Sequence, residues 1–421
     1  MSGTVEKNIV RESGIVAASA VGLKWNADIV TASTVTVEGN NGYWINTTSN
    51  AITITLPSAA EKGDQIVLID YARTWGTNKI IIDSNGLKYQ GQEDTYTVEY
   101  DTSGQSLNIV FSDATKGWIP LDDDVAAFVP VAPATQKGIF GYGSISGRQS
   151  MTNLVNSEGV VAADVTGVGT VRTKLAAASF GLDKAIFGYG DVTGGGTGSV
   201  TNLVSNSGVV ATDTSGVGTA RSNLAASEFG GDKAIFGYGY SGSSNLSLTN
   251  LVSNSGVVAA DVTGVGTARR GLAAARFGTD KGIFAYGLTG SRVSLSNLVS
   301  NTGVVASDVT GVGTARNFLE AASFGTDKAI FAYGNNGGEV SLKNLVSNTG
   351  VVAADVAGVG SARQDLGACS FGGDKAIFGY GGGTATAVTN LVNSSGVVAA
   401  DVSGVGTARE GLAAAGFSSS A

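Results

Sequence analysis

Six arginines, six asparagines and six aspartates return along this chain at fixed spacings, and they are the residues that could carry chemistry. Asn153, Asn202, Asn250, Asn297, Asn344 and Asn390 are each followed after nineteen residues by Arg172, Arg221, Arg269, Arg316, Arg363 and Arg409. Asp164, Asp213, Asp261, Asp308, Asp355 and Asp401 stand eleven residues after those asparagines. A ring of guanidinium groups could hold an anion at a channel mouth, and paired carboxylates could hydrolyse a glycoside. One acid per repeat is more simply structural. An aspartate in a turn bonds backbone N–H groups, and each of these stands eight residues before an arginine it could pair with. Histidine is absent, which excludes Ser-His-Asp and Cys-His catalysis and histidine-bound zinc. Cys369 is the only cysteine, so neither an intrachain disulfide nor a Cys-only metal site can form. In the run Leu-Gly-Ala-Cys-Ser-Phe it reads as a buried substitute for alanine. No enzyme activity, cofactor or metal is expected.

These residues belong to six near-copies of a unit of 46–49 residues that fills 137–421. A lysine opens each unit (Lys137, Lys184, Lys233, Lys281, Lys328, Lys375), and only the stretch from lysine to asparagine changes length, between 15 and 18 residues. A fixed period of this size marks a repeat architecture in which no unit buries its apolar face alone. In the unit 269–309, four short segments rich in β-formers are separated by Gly, Asn, Asp and Ser turns: Leu272–Phe277, Lys281–Gly287, Leu295–Val299 and Val304–Val309. Four strands, here called A to D, in about 47 residues are the pattern of a β-propeller blade. The alanine run suits an innermost strand, where side chains must be small. The first unit lacks an A strand and the chain's last segment, Arg409–Phe417, supplies one. The expected fold is therefore all-β: an N-terminal β-sandwich-like domain, then a six-bladed propeller closed by the C-terminal strand.

Residues 1–135 hold all four tryptophans and all four prolines, which places a boundary before the repeats. Alternating runs at Ala51–Leu56, Gln65–Asp70 and Ser106–Phe111 read as strands of a small antiparallel sandwich. The expected divisions are an attachment arm at 1–35, a sandwich at 36–124, a linker at 125–136 and the propeller at 137–421. The arm carries Ile9, Val10, Ile15, Val16, Leu23 and Trp25, too few apolar groups for a core of its own. The net charge of −8 argues against nucleic acid. No apolar run reaches the ~18 residues of a membrane span, and the first residues lack a basic leader pattern, so export and membrane insertion are not expected.

The repeat KAIFGYG…NLVSNSGVVAADVTGVGTAR…LAAA and the phrases GYWINTTSN (42–50), ITLPSAAEKGD (54–64), DYARTWGTNKIIID (70–83) and SDATKGWIP (112–120) resemble kelch-like virion structural proteins of tailed bacteriophages of marine and cyanobacterial type. The repeats lack tryptophan and replace the glycine pair of cellular kelch with Gly-Tyr-Gly or Ala-Tyr-Gly. The resemblance implies a particle component located on the virion, anchored to other virion proteins through 1–35 and trimeric as phage fibres are. It implies either a host-binding fibre meeting a surface glycan or protein, or a head fibre or decoration protein with a purely structural propeller.

All the length variation lies between strands B and C. Up-down order puts the B–C and D–A connections on one face and the A–B and C–D turns on the other. Loops carry function because they tolerate change that strands do not. The expected partner-binding residues are Arg148, Asp191, Tyr240, Asn245, Arg292, Asn335 and Glu339.

Overall fold

A computed structural model describes residues 23–420 apart from 93, 95, 124, 126 and 131–134, and the chain divides into two compact units, 1–130 and 131–421. Ile9, Val10, Ile15 and Val16 of the expected arm lie outside the described residues. All regular structure described is β-strand.

The N-terminal unit comprises β1 (Lys24–Val30), β2 (Thr34–Thr36), β3 (Asn41–Ile45), β4 (Ile52–Thr55), β5 (Gln65–Asp70), β6 (Ile80–Asp83), β7 (Tyr96–Tyr100), β8 (Ser106–Phe111), β9 (Trp118–Pro120) and β10 (Ala127–Pro130). They form two five-stranded sheets, β1-β3-β5-β8-β9 and β10-β7-β6-β4-β2. One apolar core joins them, with Ile45, Ile66, Leu68, Leu107 and Ile109 of the first sheet packed with Ile52, Ile54, Ile80, Ile82 and Val98 of the second. The strict in-out alternation of β5 and β8 supplies one inner face. The expected antiparallel sheet is corrected: β1–β3, β3–β5, β2–β4 and β4–β6 pair in parallel. From β3 to β6 the chain alternates between sheets, so it returns to each sheet in the same direction. The sheets also reach beyond 36–124, taking in β1 from the expected arm and β10 from the expected linker.

In the second unit, residues 137–420 form six three-stranded antiparallel sheets and one two-stranded sheet that pairs Arg172–Thr173 with Asp191–Val192. The middle strands begin at the lysines: Lys137–Gly141, Lys184–Gly188, Lys233–Tyr240, Lys281–Ala285, Lys328–Ala332 and Lys375–Gly379. Each pairs on one side with the strand carrying the repeated asparagine and on the other with an alanine-rich strand. Sheet 1 takes its alanine-rich strand from the far end of the chain, with Ala413–Phe417 antiparallel to Lys137–Gly141. The six alanine-rich strands touch one another in cyclic succession, the last touching the first. Six apolar clusters lie between successive sheets, and the sixth joins Phe371 and Ile377 of sheet 6 to Phe140 and Val155 of sheet 1.

The expected fourth strand is only a bridged segment. Val155 bridges Val161 and Thr152 bridges Val165, so the bridged positions slip by one residue and leave a bulge. Asn153 fills it, its side-chain N–H groups donating to the Ala162 carbonyl at 3.0 Å and Asp164 at 2.9 Å. The same contacts recur in every repeat.

Candidate binding face

Each repeated arginine is buried and unavailable to an external anion, so the arginines do not form the anion-holding ring that their spacing would also have allowed. Arg269 lies 4.3 Å over the ring of Tyr238 from the preceding sheet. Its guanidinium donates to the Tyr286 carbonyl at 2.8 Å, the Thr267 carbonyl at 3.1 Å and Asn297 Oδ1 at 2.7 Å. Tyrosine can occupy that slot because the chain turns left-handed there, with φ near +65° in all six copies, and a glycine follows. The aspartate's expected partner is corrected: Asp308 lies 3.9 Å from Arg269, 39 residues earlier, and not beside Arg316. It also accepts bonds from the Thr267 hydroxyl and backbone N–H. Burial alone would raise the Asp308 carboxyl, but the bonds from Thr267 and Asn297 and the Arg269 charge outweigh it and hold the carboxyl below the usual range. Arg409, Tyr380, Asn153 and Asp164 repeat the arrangement across the junction of the two ends of the unit.

Two belts of six backbone hydrogen bonds tie the alanine-rich strands together at their two ends. At one end the N–H of Asn223 donates to Lys174, Gly271 to Asn223, Phe318 to Gly271, Asp365 to Phe318, Gly411 to Asp365 and Lys174 to Gly411, at 2.6–3.0 Å. At the other, Gly181 donates to Asp232, Gly230 to Asp280, Gly278 to Asp327, Gly325 to Asp374, Gly372 to Gln136 and Ser418 to Asp183. The first belt shares its face with the variable loops, since Arg148, Asp191 and Tyr240 line one cavity together with Lys174 and Asn223.

The seven loop residues are mostly engaged with the neighbouring loop. Arg148 donates from Nε to the Asp191 carbonyl at 3.1 Å. Asn245 donates to the Thr289 carbonyl at 2.7 Å, and Arg292 to Asn335 Oδ1 at 2.7 Å. Glu339 accepts the Gly383 N–H. Tyr240 carries Arg270 over its ring at 4.3 Å. Arg148, Asp191 and Tyr240 meet in a single cavity.

Sequence reasoning missed the pair of residues directly after each repeated arginine: Thr173-Lys174, Ser222-Asn223, Arg270-Gly271, Asn317-Phe318, Gln364-Asp365 and Glu410-Gly411. These hold constant length but share almost no chemistry, a signal that a search for length variation passes over. The second members form the belt at the mouth between the alanine-rich strands. Below it sits Glu320, where the other sheets have alanine or glycine. Burial pushes its carboxyl up to about 8, against a bond from the Ala321 N–H and with Asp365 adding repulsion. A raised acid binds more protons folded than unfolded, so its share of stability is complete below about pH 4.5 and is lost as pH rises through about 8. Glu320→Ala is therefore expected to raise the melting temperature by about 3–6 °C at pH 8.5 and to leave it nearly unchanged at pH 4.5. Equal shifts at both pH values, read by calorimetry, would contradict the assignment.

Among the described residues no group of three or more Cys, Asp or Glu side chains converges to hold a metal ion. No protein-family model matches the chain, and no curated protein matches it either.

Proposed function

We propose that this chain is a non-enzymatic structural protein of a tailed-phage particle, whose six sheets are the blades of a closed propeller and whose B–C loop face meets the host surface. The phage assignment rests on the resemblance of the repeats and the N-terminal phrases. The propeller assignment is supported by the cyclic contact of the alanine-rich strands and by the two belts of hydrogen bonds. The observation that carries the functional reading is the contrast between faces. The A–B and C–D turns repeat with constant length, whereas length variation and the unmatched residues after each arginine both fall on the other face.

Assembly into a particle accords with the low charge, 14% of residues. It also accords with the ring of exposed valines after the C–D turns: Val160, Val209, Val257, Val304, Val351 and Val397. Attachment is assigned to 1–35 with other virion proteins, in a trimer. Trp25, stacked on Trp44 at 4.7 Å and 41% exposed on edge strand β1, is the described part of that surface. Replacing all six B–C loops by the shortest, that of the sixth repeat, is expected to abolish adsorption of particles to host cells while leaving assembly intact. Unchanged adsorption would contradict the host-binding reading. One observation favours the alternative, a purely structural propeller on a head fibre or decoration protein: most of the loop side chains already bond their neighbours.

A further inference from the structure

One cavity on the loop face departs from the six-fold pattern in its chemistry. It has a volume of about 370 Å³, and its walls include Arg148, Lys174 and Arg270 but a single carboxylate, Asp191. In a chain of net charge −8, such a gathering of cations runs against composition. Lys174 and Arg270 make no ion pair among the described residues. Arg270 is instead held flat over Tyr240. Phe318 reaches the same cavity.

All six belt residues, Lys174, Asn223, Gly271, Phe318, Asp365 and Gly411, adopt left-handed φ of 52–61°, so the conformation belongs to the fold while its occupants differ. Bulky residues rarely settle there, and when they do the strained position often marks a functional site. Glycine fits this belt, so the lysine and the phenylalanine are not required by the fold.

We propose that this cavity binds the acidic group of an anionic saccharide, either a carboxylate or a sulfate or phosphate ester. Guanidinium and ammonium groups recognise such oxygens through charge-assisted hydrogen bonds. Phe318 offers a ring for sugar C–H groups, and Ser222 and Asn223 offer a hydroxyl and an amide. The adjoining cavity, about 520 Å³, shares Arg148, Lys174 and Asp191 but adds Asp365 and Glu410. Burial pushes Asp365 up to about 6, opposed by Lys174 and reinforced by Glu410 and Glu339. Those acids repel the charged end of a ligand and direct it toward Arg270. The inference deepens the host-binding reading and rests on the same face.

The test is ligand-observed saturation-transfer NMR on the full chain with tetragalacturonate, galactose 6-sulfate, galactose 6-phosphate, maltotetraose and inorganic sulfate. Transfer is expected to at least one of the three acidic sugars and not to maltotetraose, and which of them responds identifies the acidic group. Lys174→Gln with Arg270→Gln should weaken binding by about tenfold or more, while Lys184→Gln on the opposite face should not. Transfer to maltotetraose of equal strength, no transfer to any acidic sugar, or acidic-sugar binding unchanged in the double variant would each overturn the proposal, whereas displacement of the bound acidic sugar by inorganic sulfate is expected. If loop-exchanged particles lose adsorption while no acidic sugar binds, the host-binding face survives and the saccharide assignment falls. If an acidic sugar binds as expected while loop-exchanged particles adsorb normally, the pocket survives and the host-binding reading falls.

Discussion

Replacing Arg269 by alanine is expected to lower the stability of the chain by about 3–5 kcal/mol, the range seen when one member of a buried charged network is removed. The side chain is fully buried, stacked on Tyr238, and spends its N–H groups on two carbonyls and Asn297. Its loss strands the Asn297 oxygen and the carbonyls and leaves a void between two sheets. Arg269→Lys should recover only part of the stability, because an ammonium cannot both lie flat on a ring and fork to three acceptors. The neighbouring Arg270→Ala is the control, expected within about 0.5 kcal/mol of the parent chain because, among the described residues, the Arg270 side chain makes only the stack on Tyr240. Urea denaturation measures all three. A loss below about 1 kcal/mol for Arg269→Ala would mean that the network is not what joins the sheets.

Deleting Arg409–Ala421 is expected to have a comparable or larger effect. It removes the strand paired with Lys137–Gly141, the buried side chains Leu412 and Phe417, and the bonds of Arg409 to Tyr142 and Asn153. Burial of the two apolar side chains alone contributes about 1.5–3 kcal/mol each, a large share of the ~5–15 kcal/mol that holds a typical domain. The deletion also bares the edge of Lys137–Gly141, and an unpaired edge recruits other chains. The truncated chain should melt well below the parent and associate in light scattering. A truncated chain that melts with the parent and keeps the parent's oligomeric state would contradict closure by the C-terminal strand.

The repeat period and the turn residues announced short strands because those signals are local. The pairing of Ala413–Phe417 with Lys137–Gly141 was readable because each end of the array lacks what the other supplies. The direction of the N-terminal pairings was not readable. Alternation within Gln65–Asp70 says that one face is buried but not which sheet the strand joins, so the parallel pairings were lost. Partner choice for Asp308 was missed for a related reason: proximity in sequence suggested Arg316, while sheet packing delivered Arg269. Volume compensation was equally hidden. Cys369 and Ser227 stand where other alanine-rich strands have alanine, and they face Gly138 and Gly282, where the other middle strands also have alanine. A methyl group at Gly138 would lie 2.6 Å from the Cys369 sulfur. At the candidate binding face, length variation led to the loops, and the mouth residues Lys174, Phe318 and Asp365 stayed invisible because the segment from each arginine to the next lysine keeps a constant length.

The most direct measurement is a cryo-EM reconstruction of virus particles purified from the cells in which this chain is made. The expected result is density for the chain on the virion, a six-bladed ring with the loops around Arg148, Lys174 and Arg270 turned outward to solvent, and residues 1–35 buried against other virion proteins. Particles without the chain, or a loop face buried against a neighbouring virion protein, would contradict the account.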